Sequence, residues 1–332
     1  MDRLVLLATL LLHPALPLWL AASLHRKPQK DVATALVAAL GAVTATLLLA
    51  LVGAGWAAYP ARTRWGLLAL VTLSAVWRLH SFRRFATTLP ETRRARVRVA
   101  VEAALCLALL AGVARVTLSD EPVGGALRLA FPLEERTAYV MHGGDSCVFN
   151  AHCEVHAQRH ALDVVALDGW AETRAQGLLP TRPEAYAAFG LVVHAPCDGE
   201  VVQVRDGLQD LPPPRRDTGH ILGNYVALHC KGATVLLAHL AQGSVRVGLG
   251  QTVIAGQRLA RVGNTGNTTE PHLHIHAVRG RVTSPGQLAA TGDPVPMLFD
   301  GQSAPLRRHD TVISSRLHRS ATVHATAHPD RP

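Results

Sequence analysis

The chain has 332 residues, 48% of them hydrophobic and only 5% aromatic, with a formal net charge of +9. The charge is uneven: residues 1–119 hold 14 Lys/Arg against 4 Asp/Glu, and residues 120–302 hold 14 against 18. That distribution excludes a basic nucleic-acid-binding domain and places the excess where apolar runs alternate with basic clusters, the pattern of membrane spans and their cytoplasmic loops.

Four apolar stretches open the chain, at 4–24, 33–59, 65–79 and 99–118. A spanning helix needs ~20 mostly apolar residues, so the second and fourth suffice and the third is short. The first shares features with a signal peptide, but its charged start is only Arg3 and further spans follow. The predicted region, residues 1–119, is therefore an all-α transmembrane unit of about four helices. Its loops HRKPQKD and HSFRRFATTLPETRRARVR are basic, and the positive-inside rule puts both in the cytoplasm. Everything beyond residue 119 is then extracytoplasmic, and the chain reads as a multi-pass membrane protein. Arg78, Glu102 and Arg115 lie near span ends, where long side chains snorkel to the interface.

The cysteines fit this placement. Cys106 lies within the fourth apolar stretch, as a small packing residue. Cys147, Cys153, Cys197 and Cys230 all fall in the exported part, where disulfides persist. The pairing Cys147–Cys153 with Cys197–Cys230 is favoured because the second pair brackets neighbouring strands; free buried thiols are the alternative.

Residues 120–135 read as a linker and residues 303–332, without apolar period, as a disordered tail that includes His309, His318, His324 and His328. Between them, residues 136–302 offer short valine-rich runs separated by Gly, Pro and Asp turns: ALDVVAL, LVVHAP, GEVVQVRD, NYVALHC, ATVLLAHL, SVRVG, QTVIAGQRLARVG and HLHIHAV. A short helix is expected around RPEAYAAFG. The spacing predicts a mostly antiparallel all-β domain, a sandwich or open barrel. The stretch from Asp206 to Leu222, with three consecutive prolines, interrupts the strands as a surface excursion, either a wall of a substrate cleft or a tolerated insertion.

The chemistry concentrates in HLHIHAV. Residues two apart on a strand share a face, so His272, His274 and His276 stand in one row, and a metal ion is a common reason for such crowding. Asp163, an acidic residue inside an apolar strand, needs a compensating cation; that cation is a metal or Arg159. His276 lies one step further along the strand, as an edge histidine or a contact at the rim. His194, His220 and His229 read as surface or turn residues.

HLH after GNTTEP, the AHL of LLAHL, the APCDGEV turn, the SVRVGLGQTVIAGQRLARVGNTGNT run and an upstream histidine with a strand aspartate resemble the lysostaphin or LytM-type peptidoglycan metalloendopeptidases over about residues 140–290. The resemblance implies a compact antiparallel β-domain with one zinc ion. Its ligands would be an upstream histidine, Asp163 and His274, with His239 and His272 flanking the active water. The usual H-x-x-x-D spacing is broken by Arg159, which leaves His142, His152, His156 and His160 as candidates. NAHCEVHAQRHALD resembles a variant opening N-x-H, which favours His152, and a Cys147–Cys153 bridge would hold that loop. The implied substrate is a peptide cross-link of peptidoglycan, cut by zinc-activated water with His239 or His272 as general base, since no HExxH glutamate is present. The competing expectation is a metal-free relative that binds peptidoglycan or activates a separate amidase.

Overall fold

The structure, a computed structural model, describes residues 3–26, 31–60, 62–81, 88–118, 124–133, 137–170, 172–174 and 177–313. Four helices come first: α1 (Arg3–Arg26), α2 (Val32–Val52), α3 (Thr63–Ser81) and α4 (Arg93–Leu118). The start of α2 is fixed by Asp31, whose carboxylate accepts from the Thr34 amide and hydroxyl, supplying partners that the first turn lacks. By length and composition α1, α2 and α4 can each cross a membrane. The expected fourth span, α3, is not among them; it is 19 residues long with Arg64 and Arg78 near its ends. Leu12, Trp19, Leu73, Trp77, Leu105 and Leu107 point outward, each more than half exposed. Inside, Ala21 and Leu24 of α1 pack with Ala39 and Ala42 of α2 and Val71 and Ala75 of α3. Cys106 is buried, its Sγ 3.7 Å from the Val37 carbonyl.

The rest is a β-domain. Its strands are β1 (Leu127–Leu129), β2 (Thr137–His142), β3 (Leu162–Leu167), β4 (Val192–His194), β5 (Gly199–Arg205), β6 (Asn224–Cys230), β7 (Ala233–Leu240), β8 (Thr252–Val253), β9 (Arg258–Arg261), β10 (Leu273–Arg279), β11 (Pro294–Val295), β12 (Met297–Phe299) and β13 (Thr311–Ile313). One antiparallel sheet runs β13-β2-β3-β10-β7-β6-β5-β8, with β11 also on β10. Two small pairs complete the domain: antiparallel β4/β9, and β1/β12, which is parallel. Val193 of β4 and Leu259 of β9 share a buried cluster with Val164, Leu237 and Ile275 from the large sheet. The predicted sandwich is thus very unequal, a broad sheet with a two-stranded second layer. Both favoured disulfides are present, Cys147–Cys153 and Cys197–Cys230.

Several expectations need correction. SVRVG forms no regular strand: Val245 N donates to the Asp206 carboxylate, Ser244 N to the Ala241 carbonyl and Gly248 N to the Gln251 side chain, while Arg246 N bonds the Leu259 carbonyl of β9. The helix near RPEAYAAFG is only the 3-10 turn Pro183–Ala185. The linker is built into the domain where it is described, through β1 and through Leu133, which bridges Val193. The tail does not begin at 303: β13 pairs with β2, and Arg308 is buried. Residues 314–332, with His318, His324 and His328, lie outside the described residues.

The helices and the β-domain meet. The 3-10 turn Ala54–Ala58 after α2 places Ala57 in the main core cluster of the β-domain. Thr173 Oγ1 donates to the Ala57 carbonyl, and Arg308 Nη1 donates to the carbonyl of Val52, the last residue of α2. The end of α2 and the β-domain therefore lie at the same end of the helices.

Candidate metal centre

The centre of the sheet builds the site. Asp163 on β3 stands directly opposite His274 on β10, and His274 stands opposite Ala238 on β7. Register partners face the same way, so a carboxylate and an imidazole meet without any loop having to close. Asp163 Oδ1 lies 2.8 Å from His274 Nδ1 and 3.4 Å from His272 Nε2. Asp163 Oδ2 lies 2.7 Å from His152 Nε2.

His152 arrives on a compact loop whose organiser is Asn150. That side chain is fully buried, donates to the carbonyls of Gly144, Arg159 and Ala161, and accepts from the His152 amide. The Cys147–Cys153 bridge closes the same loop around His152. Of the other candidates, exposed His156 sits 3.5 Å from Asp293, and His160 lines a small cavity with Gly144, Leu162 and Leu306. His142 accepts from Arg308 Nη2 at 3.0 Å. Arg159 does not compensate Asp163; three imidazoles surround that carboxylate.

His239 and His272 close the other side, their rings 4.8 Å apart. His239, next to last in β7, lies in the left-handed region, φ 61°, a conformation that non-glycine residues adopt at some cost and that clusters at functional sites. Its Nδ1–H donates to the Thr265 carbonyl at 2.8 Å. Gly223 makes room for that carbonyl: a Cβ there would lie 2.2 Å from the Thr265 oxygen. His272 Nδ1–H donates to the Glu270 carbonyl at 2.8 Å. Both rings therefore turn Nε2 toward the interior of the site.

The Glu270 turn has its own support, which the sequence did not announce. Buried Arg174 pairs with the Glu270 carboxylate, reaches the Leu178 carbonyl and lies over the Tyr186 ring. The proline-rich excursion is anchored beside the site: Leu211 N donates to the Asn264 carbonyl and Asp217 N to the Gly266 carbonyl.

Electrostatics follow from burial. Burial opposes the charge on Asp163, yet His152 and His272 outweigh it and hold the carboxyl well below its usual range. Burial lowers His239 well below the ordinary histidine range, and takes His274 to about 3 and His276 to about 4. His272 goes the other way: burial lowers it, but the adjacent Asp163 carboxylate raises it by more.

Proton placement tests whether the residues fit a cation. His276, expected at an edge, is fully buried, with Nε2 2.8 Å from the Leu288 carbonyl and Nδ1 2.8 Å from His274 Nε2. A carbonyl only accepts, so His276 Nε2 carries the proton; neutral His276 then accepts at Nδ1, and His274 donates from Nε2. His274 Nδ1 is left with a lone pair facing a carboxylate oxygen at 2.8 Å. Two acceptors in contact call for a cation between them, a proton that would make His274 an imidazolium or a metal ion, and burial, which takes His274 down to about 3, disfavours the proton. The donor atoms of His152, Asp163 and His274 all lie within 4.8 Å of one another, and two imidazoles with one carboxylate suit zinc, leaving a fourth position open. The residues fit the metal.

Residues 185–285 match the family described as Peptidase family M23. The match spans His239, His272 and His274; His152 and Asp163 precede it and join it through the β3–β10 pairing. Among curated proteins, the chain is 45% identical over 60 residues to the peptidoglycan DD-endopeptidase ShyA of Vibrio cholerae serotype O1, covering 18% of this chain and only 14% of that one. Solved structures with similarity include a zinc-containing peptidase from Vibrio cholerae (24% identity, 39% of this chain, 29% of that chain, TM-score 0.23). Another is the catalytic domain of lysostaphin from Staphylococcus simulans (21% identity, 34% of this chain, 80% of that chain, TM-score 0.22). Behind its apolar N-terminal helices, the chain carries a peptidase M23 domain of the lysostaphin and LytM family.

Proposed function

We propose that this protein is a membrane-anchored zinc metalloendopeptidase that hydrolyses peptide cross-links of cell-wall peptidoglycan. The observation that carries the reading is His274 Nδ1 held 2.8 Å from the Asp163 carboxylate, with His152 completing three donors. The ShyA relative, described as a peptidoglycan DD-endopeptidase, supports the substrate class.

His152, Asp163 and His274 would hold the metal. Zinc bound there supplies Lewis acidity and activates water at neutral pH. His239 and His272, each fixed through Nδ1 by a backbone carbonyl, present Nε2 to the reacting atoms. These imidazoles take the proton of the attacking water, donate to the developing oxyanion and return the proton to the departing amine. The excursion Asp206–Leu222 forms one wall of the cleft.

The helices anchor this domain with four crossings. The β-domain touches the end of α2 and follows α4 in sequence, which supports an arrangement with both ends on one side. For α4 to cross toward that side, the chain must cross back between residues 53 and 93, and α3, packed along α1 and α2, is the segment available. The two disulfides agree with an extracytoplasmic side.

The test uses the full chain in detergent with purified sacculi, identifying the released muropeptides. Release should stop with a zinc chelator, resume on adding zinc, and be absent with His274→Ala. The same products from His274→Ala would sink the proposal.

A further inference from the structure

Beyond the three ligands and two flanking imidazoles, one more histidine is built into this centre. His276 sits on the face of β10 that carries His274, and it is tied at both ring nitrogens, to His274 Nε2 and to the Leu288 carbonyl, each at 2.8 Å. The carbonyl end is itself immobilised. Leu288 is fully buried, packed with Ala157, Leu236 and Val278, and it sits in the single π-helical turn Gln287–Thr291. The Gly292 amide closes that turn on the Gln287 carbonyl. Gln158, from the loop that carries His152, donates to the Ala289 carbonyl of the same turn.

We infer that His276 is a positioning residue: by passing the polarity of the Leu288 carbonyl to His274, it keeps His274 in the tautomer whose Nδ1 is free to bind the metal. The turn Gln287–Thr291 thereby steadies two ligands at once, His274 through His276 and His152 through Gln158. The inference rests on the proposed zinc site. A ligating imidazole generally needs a partner on its second nitrogen, and losing that partner typically costs ~10–100-fold in metal affinity. Here the partner is another imidazole with a backbone carbonyl behind it. Reverse every proton in the relay and an unprotonated His276 Nε2 would face the Leu288 oxygen, so the backbone selects one direction.

The experiment is zinc titration of the detergent-solubilised full chain against a chromophoric chelator. His276→Phe, which removes the acceptor, should lose zinc affinity by ~10–100-fold and alter the absorption spectrum of the cobalt-substituted protein. His276→Gln, which offers both an acceptor and a donor, should bind within about threefold of wild type and restore the spectrum, a rescue that a purely space-filling role would not produce. Histidine-labelled wild-type chain gives a variant-free check by 15N NMR, with the proton expected on Nε2 of both His274 and His276. A folded His276→Phe with wild-type zinc affinity, or a proton on His276 Nδ1, overturns the inference. If wild type itself takes up no zinc, it is the proposed function that fails; if wild type and His276→Phe bind alike, only the relay fails.

Discussion

Asn150 shows how much of the site hangs on single polar side chains. It satisfies three carbonyls and one amide in a loop too short for regular structure. Each buried polar group left without a partner costs ~1–3 kcal/mol. Asn150→Ala should therefore destabilise the chain by ~2–4 kcal/mol, and chemical denaturation with and without zinc would show part of that loss as weaker zinc stabilisation. At this scale the sequence was partly legible. Residue type and two-residue spacing singled out His272, His274 and Asp163, the family resemblance added His152 and His239, and the fold brings the five together. His276 was read as an edge or rim residue, whereas it is buried, because its setting depends on a main-chain oxygen twelve residues away that no side-chain pattern reveals.

Among elements, the segment Asp168–Gly190 contributes through one ion pair. Arg174 and Glu270 are nearly enclosed, with side chains 7% and 13% exposed. Removing one partner of such a pair strands the other charge, at ~3–5 kcal/mol. Arg174→Met should cost that much in thermal or denaturant unfolding, while the double change Arg174→Met/Glu270→Met recovers most of it. Because the Glu270 carbonyl orients His272, the single variant should also lower kcat and leave zinc affinity unchanged, a split measurable by turnover and chelator competition. The strands legible in the sequence were β3 to β10, β8 and β9 being read as the single run QTVIAGQRLARVG. SVRVG has the same composition, but its amides are split among the Asp206 carboxylate, the Ala241 and Leu259 carbonyls and the Gln251 side chain, and composition does not show which acceptor wins. Strands β1, β11, β12 and β13, each two or three residues long, are too short to carry a period.

At the level of the whole chain, the division into helices and β-domain was legible from charge and hydropathy, whereas the joint between them was not. Arg308 lies in a stretch that looks polar and aperiodic, yet its guanidinium reaches the carbonyls of Val52, Met141 and Val148 and the ring of His142. A chain ending at residue 302 would lose these bonds together with β13. Thermal unfolding of that shortened chain should show a melting temperature lower by roughly 5–10 °C; an equal melting temperature would mean that the joint contributes nothing to stability.

That joint has a consequence for where the protein can work. A hydrolase on a loose leash sweeps a volume that grows with the length of its tether. Here Ala57, from the connection between α2 and α3, belongs to the β-domain's own interior, so with the helices in a bilayer as proposed the stand-off between cleft and bilayer would be set by packing. Anchored as proposed, the enzyme would patrol a layer of one thickness, cutting only the peptide cross-links nearest the lipid and sparing the outer wall.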